Sequence, residues 1–352
     1  MDGGQSKAEG AGDGLRYPFA EPPAEGAATR VAQGVLWMRL PLPMRLEHVN
    51  VYALDDGDGW TIVDTGFDTR RTRAIWRGLL YGPLGGRPVR RVIVTHHHPD
   101  HVGLAGWLQG EGAELWASRT AWLFARMLQL DVQAVPPAET LAFWRGAGMA
   151  PEVLAERARS RPFNYADIVA PMPLGFRRVV EGEAIEAGGR RWRVVFGQGH
   201  AADHLTLWSE ADGLVLGGDQ ILPRITPNLG VYATEPAADP VGEWLVSCRR
   251  LAGLARDDHV VLPGHQRVFT GLAARLAALA SAADGMLERL LGELAAPRKA
   301  SECLAALYRR QISDGEYGLA LVEAVAHLNH LERRGLARRE PGPDGAWLWR
   351  RA

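Results

Sequence analysis

Apolar and polar residues alternate from about Val31 to Val63, through "GVLWMRLPLP", "HVNVYAL" and "GWTIVDTG", which predicts three strands. Asp-Gly pairs at 56–57 and 58–59 close the last two into a hairpin. The run "DTRRTRAIWRGLL" then takes helical spacing, "VRRVIVT" reads as a buried strand, and a helix is predicted from His101 to Gln109, ending at Gly110. Residues 118–160 are mostly helical in pattern, broken at Pro136-Pro137 and Pro151. Strand patterns return at "RWRVVF", "HLTLWSE", "GLVLGG" and "HVVLPG", followed by an Ala/Leu-rich helix over about 270–295. Beyond Pro297 the pattern gives two helices and a hairpin, "LARRE" and "AWLWRR" joined by "PGPDG". No repeat of solenoid period is present in the sequence.

Strands alternating with helices place the chain in the α/β (α+β) class. The pattern divides it into a loose tail (1–30), a main domain (31–296) with a helical insert at about 118–175, and a small C-terminal unit (297–352). The tail is rich in Gly, Ala, Glu and Pro, has no sustained apolar run, and does not read as a secretory signal. No apolar run spans a bilayer, so no membrane partner is expected. Of 352 residues, 47% are apolar and 23% charged, enough for a sizeable core, and the formal charge of −1 gives no global case for nucleic-acid binding. The two cysteines, Cys248 and Cys303, sit far apart in helix-like contexts, which argues against a disulfide framework and for a reducing cytoplasm.

Five apolar runs share one design, each ending on Gly or Thr beside a metal-capable side chain: Asp64, His96, His200, Asp219 and His265. Strand ends of this kind converge on one edge of a sheet. The densest stretch, "VIVTHHHPDHVG", places four of the eleven histidines and an aspartate within six positions. His96 and His98, two apart on extended chain, point to the same side and can reach one cation, while His97 points away. Asp100 and His101 lie past the Pro99 turn and could face a second cation; equally, Asp100 could be the N-cap of the following helix. "GQGHAADHLTLW" adds His200 and, four residues on, His204. "GGDQI" adds Asp219, whose two oxygens can bridge two metals, and "LPGHQ" adds His265.

The set His96-x-His98-x-Asp100-His101 with His200, Asp219 and His265, in that order, resembles the metallo-β-lactamase fold hydrolases over roughly residues 30–275. The pattern looks closest to glyoxalase II and its relatives. "GHAADH" is similar to a subgroup carrying a C-terminal winged-helix domain, for which residues 297–352 have the layout. Position 98 is His where the related flavodiiron proteins carry an acidic residue, and no cysteine stands at a ligand position. The resemblance implies a four-layer αββα sandwich with His96, His98 and His200 on one metal, Asp100, His101 and His265 on the other, and Asp219 bridging. Asp64 matches the family's first motif, supporting the ligand shell. Two divalent cations are implied: zinc suits these N and O donors, with manganese or iron as substitutes. They would lower the pKa of a shared water so that the hydroxide they hold attacks an electrophile.

On this reading Asp100 and His204 are the candidate catalytic side chains, His204 as a proton donor to the leaving group. Tyr165 in the insert, and Arg224 and Tyr232 in "ILPRITPNLGVY", are candidate substrate contacts. The insert's Trp122, Phe124, Met127, Phe143, Trp144 and Phe163 could line an acyl or cofactor-tail site. The expected substrate is a small-molecule thioester or ester resembling an acyl-CoA or glutathione conjugate. The alternative is an endoribonuclease assisted by the winged helix, for which ten Arg/Lys against seven Asp/Glu in 297–352 give slight support. Winged helices also serve as dimer surfaces, which keeps a homodimer open. A catalytically silent binding protein of the same fold fits least, since every ligand position is filled.

Overall fold

The predicted hairpin closes where the Asp-Gly pairs stand: Gly57 N donates to Asp55 Oδ1 (2.9 Å) and Asp56 N to Gly59 O (3.0 Å). The computed structural model describes residues 14–352. In it this hairpin, His48–Asp55 with Trp60–Val63, lies inside a sheet of seven strands in sequence order. Ala28–Ala32 and Val35–Pro41 pair antiparallel on one side; Val89–Ile93, Glu114–Ala117 and Arg177–Arg178 continue in parallel on the other. A second sheet of six strands holds Ala184–Ala187, Arg190–Gly197, His204–Ser209, Leu214–Gly218, Val260–Pro263 and Phe269–Thr270.

Each sheet buries both faces. Trp37, Tyr52, Leu54 and Ile93 of the first meet Trp192, Val194, Leu205 and Leu216 of the second in the shared interior. Helix Arg70–Tyr81, N-capped by Thr69, lays Trp76 and Leu79 on the outer face of the first sheet. Helices Pro240–Ala252 and Leu272–Glu293 cover the second with Trp244, Leu251, Leu276 and Leu279. The result is the expected αββα sandwich, two amphipathic layers closing over two sheets. No helix of the described residues is long and apolar enough to cross a membrane.

Several local expectations are corrected. Part of the expected loose tail is structured: Ala28–Ala32 is a strand and Arg16 bridges to Thr270, while residues 1–13 lie outside the described part. The helix expected over His101–Gln109 is two, Pro99–Val102 and Ala105–Gly110. The break comes from Thr65, whose hydroxyl donates to His101 O (2.8 Å) and accepts from Leu104 N (3.0 Å). Gly103 has no room for a side chain there, since a Cβ would fall 2.4 Å from Gly66 O. His98, not Asp100, occupies the cap position of the first short helix.

The insert forms helices Arg119–Leu130, Ala138–Gly146 and Pro151–Arg157. Phe143 and Trp144 pack in the cluster of the second sheet's outer helices, and Phe143 stands edge-on to Trp347 at 5.7 Å. The C-terminal unit runs helix Leu304–Tyr308, helix Asp314–Arg333, then the hairpin Ala337–Pro341 with Trp347–Arg351. It is fitted closely to the insert: a Cβ at Gly146 would fall 2.6 Å from the Trp347 ring, and Ser301 Oγ donates to Gly148 O (2.6 Å).

Candidate metal centre

The five apolar runs do converge. Trp60–Val63 ends at Asp64, and Val89–Ile93 leads to His96; Arg190–Gly197, Leu214–Gly218 and Val260–Pro263 lead to His200, Asp219 and His265. The two sheets are stitched together at this edge. Leu205 N donates to Thr95 O (2.8 Å), Asn50 N to Gly264 O (2.7 Å), and the Asn50 amide and Tyr52 hydroxyl both donate to Pro263 O. Ligand-bearing loops from both sheets are thereby held in one register.

Three groups of donor atoms result, each within 4.8 Å: His96, His98, His200; His96, His101, Asp219; and Asp100, His101, His265. His96 Nε2 and His200 Nε2 are 3.3 Å apart. Asp219 Oδ2 lies 3.1 Å from His265 Nε2 and 3.6 Å from His200 Nε2; its Oδ1 lies 3.3 Å from His101 Nε2. Asp219 therefore reaches histidines of both expected half-sites. Asp100 Oδ2 lies 3.2 Å from His265 Nε2 and 3.5 Å from His101 Nε2. Gly264 makes room for this: a Cβ there would fall 2.2 Å from Asp219 Oδ1.

The partners behind the imidazoles decide what the inward nitrogens can do. His200 Nδ1 donates to Asn228 O (2.8 Å) and His265 Nδ1 to His48 O (2.8 Å), because a carbonyl only accepts. His101 Nδ1 lies 2.7 Å from Asp64 Oδ2. The Thr95 hydroxyl donates to Asp64 Oδ2 (2.8 Å), which leaves its lone pair for His96 Nδ1 at 3.0 Å. With the outward Nδ1 atoms of His96, His101, His200 and His265 engaged, four Nε2 atoms turn into one space, and each presents a lone pair there when its ring is neutral. His101 Nε2 and Asp219 Oδ1 are buried 3.3 Å from one another without a well-formed hydrogen bond, so polar atoms face each other in a closed space. Imidazole nitrogens and carboxylates together fit a pair of divalent cations of zinc type.

Burial and neighbouring imidazoles pull His96 and His98 well below the ordinary histidine range. In the other half burial pulls the same way, but the carboxylates of Asp219 and Asp100 outweigh it, holding His101 well above that range and His265 up to about 10. The cradle thus holds protons where a cation would sit.

Other expected residues fall differently. His204 is fully buried, its ring stacked on His96 at 4.5 Å, and its Nε2 accepts from Asp219 N (3.1 Å). Burial lowers it to about 3. A ring that props the backbone of Asp219 is not placed as a proton donor, and this corrects the expectation of an acid there. The Tyr165 hydroxyl donates to His97 O, so it braces the histidine loop. Arg224 Nε donates to Tyr17 Oη (3.2 Å), with the guanidinium over the Tyr17 ring at 5.6 Å. Its exposed side chain is engaged by the N-terminal segment. Tyr232 is half-exposed on the loop between Asp219 and helix Pro240–Ala252. His97, read as pointing away, packs its ring on Phe124 at 5.0 Å.

His48, Thr95 and Asn228 were missed. Only Thr95 had a sequence signal, its place between a strand and the histidine run; His48 and Asn228 act through backbone carbonyls, which no residue type announces.

A family model of the metallo-beta-lactamase superfamily matches residues 44–265, a span containing all seven candidate ligands. A model of the metallo-beta-lactamase-like C-terminal domain matches residues 287–352. The probable metallo-hydrolase YqjP of Bacillus subtilis (strain 168) is 25% identical over 315 residues, 85% of this chain and 92% of that protein. Among solved structures, a beta-lactamase domain protein from Burkholderia ambifaria is 39% identical with a TM-score of 0.88, covering 96% of this chain and 98% of that one. A metallo-beta-lactamase family protein from Thermus thermophilus is 28% identical with a TM-score of 0.76, covering 92% of this chain and 100% of that one. The chain belongs to the metallo-beta-lactamase superfamily.

Proposed function

We propose that this protein is a metal-dependent hydrolase that holds two divalent cations and cleaves a small-molecule thioester or ester. The observation that carries the reading is the set of inward histidine and carboxylate donors around Asp219, which gather within 4.8 Å in three overlapping groups. His96, His98 and His200 would hold one cation, Asp100, His101 and His265 the other, and Asp219 both. When bound, such cations supply Lewis acidity and lower the pKa of water at neutral pH. The chain's own part is to fix that geometry and exclude bulk water. Asp64 and Thr95 set His96 and His101, the carbonyls of Asn228 and His48 set His200 and His265, and the buried His204 props Asp219.

An acyl substrate is supported by the insert. The two segments that reach His97, through Phe124 and Tyr165, also carry exposed Leu123, Met127 and Phe163, and apolar surface beside a polar site suits an acyl chain. Tyr232 remains the candidate polar contact. The ribonuclease alternative has less support. In the C-terminal unit Lys299 pairs with Asp344, Arg310 with Glu316, Arg339 with Glu332 and Arg350 with Glu340, and Trp349 is fully buried. Those cations and that ring are already engaged within the fold, which leaves less for a phosphate backbone and its bases. Zinc-loaded protein offered acyl-CoA and glutathione thioesters, lactones and single-stranded RNA should turn over a thioester or ester, and His96→Ala should abolish this. RNA cleavage without thioester or ester turnover would overturn the substrate class, and under one zinc per chain after supplementation would overturn the binuclear site.

A further inference from the structure

We propose that Glu323, on the long helix of the C-terminal unit, is a positioning residue for the first metal half-site, acting through Asn228 on His200. The inference rests on His200 being a ligand, as proposed above. Asn228 is held at both ends. Its backbone carbonyl accepts from His200 Nδ1 (2.8 Å), while its side-chain amide donates to Glu323 Oε2 (3.1 Å) and lies 3.5 Å from Leu319 O. The Tyr308 hydroxyl donates to the same Glu323 oxygen. Glu323 is only 8% exposed, so the carboxyl is committed to these donors and not to water.

The rest of the loop is strapped to the same helix. Val231 N donates to Val322 O (3.2 Å), the Asn329 amide to Pro236 O and Ala238 O, His330 Nδ1 lies 2.9 Å from Asp239 Oδ1, and Arg333 Nη2 donates to Ala237 O (2.9 Å). Positions 319, 322, 323, 329, 330 and 333 recur at helical spacing, so one face of Asp314–Arg333 carries the loop from 228 to 239. Most of these contacts hold the loop as a whole. Glu323 differs because its partner is the residue whose carbonyl sets an imidazole. An unheld Asn228 would let that carbonyl swing, and His200 would lose the bond that fixes its tautomer and aim.

The test is zinc affinity measured against a chromophoric chelator on the full chain. Glu323→Ala should weaken one of the two zinc equivalents by about 10–100-fold and leave the other unchanged. Glu323→Gln should recover most of the loss, since an amide oxygen still accepts from Asn228. Asn228→Ala keeps its backbone carbonyl but loses the grip, so it should reproduce Glu323→Ala, and the double variant should fall no further. Adding His98→Ala to Glu323→Ala should cost that same equivalent and no other, assigning the loss to the first half-site. Two unchanged equivalents in Glu323→Ala, or equal weakening of both with no rescue by Gln, would overturn the inference. If Glu323→Ala fails to fold, Asn228→Ala alone decides it. Wild-type protein that fails to take two zinc ions would overturn the binuclear reading instead, so the two failures are distinguishable.

Discussion

The two half-sites are built from opposite electrostatics. Around His96, His98 and His200 the partners of the outward nitrogens are neutral, a threonine hydroxyl and an asparagine carbonyl, only Asp219 brings a carboxylate near, and burial among other imidazoles keeps His96 and His98 uncharged. Around Asp100, His101 and His265 the carboxylates of Asp64, Asp100 and Asp219 converge, and the two histidines hold their protons far above neutrality. The first half is therefore preset for a cation. If cations bind as proposed, the second would exchange protons for one, and binding there would release them. One edge of one fold supplies both because its loops come from two sheets with different chemistry at their ends.

The change that erases this contrast is Asp219→Ala, since the Asp219 carboxylate lies within 4 Å of His200, His101 and His265 alike. It should cost both half-sites more affinity than the roughly 10–100-fold typical of losing an outer partner. Elemental analysis after dialysis should find both zinc ions depleted. One ion retained at full affinity would mean that Asp219 serves a single half. Asp64→Ala comes next. It strands three buried donors, Thr95 N, Thr95 Oγ1 and His101 Nδ1, and so should weaken the second half directly and the first through His96, each by about tenfold or more. Unequal loss, greater in the second half, would sharpen the contrast; loss confined to the first would break it.

What the sequence made legible follows from the same construction. Five of the site's side chains come at or within three residues of a strand end, and strand periodicity is a local property, so the convergence of Asp64, His96, His200, Asp219 and His265 could be foreseen from five short runs. The sandwich was legible only through the family resemblance that those motifs carry. Glu114–Ala117 and Ala184–Ala187 were not, being four residues long with no clear alternation; they are strands because neighbouring strands offer a ladder. The break at Gly103 was hidden because its cause, the Thr65 hydroxyl, lies 38 positions earlier in the chain. His204 looked like an acid because its type and spacing fit; only the packing showed its Nε2 already taken by Asp219 N.

pH separates the halves without mutation. In metal-free protein the folded-state pKa of His265 is raised from 6.5 to about 10. Its pairing with Asp219 and Asp100 therefore stabilises the fold fully below about pH 6.5, and the contribution is lost as pH rises through about 10. Chelator-treated protein should accordingly lose thermal stability across that window, and His265→Ala should flatten the slope. His98→Ala removes an imidazole that burial already keeps uncharged, so it should leave the slope in place. Equal slopes for His265→Ala and wild type would show that the charged half does not stabilise the metal-free chain in this way.

The smallest expected effect comes from the insert's brace. Tyr165 is 8% exposed and its hydroxyl is hydrogen-bonded to His97 O, between two ligands of the first half. Tyr165→Phe removes that bond and keeps the ring, so it should lower stability by about 1 kcal/mol. His97 O is left without that donor, but the strand-end geometry of His96 still rests on Thr95 and that of His101 on Asp64. Zinc affinity should consequently fall only a few-fold, and only in the first half. Loss of a whole zinc equivalent would mean that the insert, and not the strand end, sets the histidine loop. The first half would then depend on two peripheral elements, the insert and the C-terminal helix, whereas the second is held from within the sandwich by Asp64 and His48.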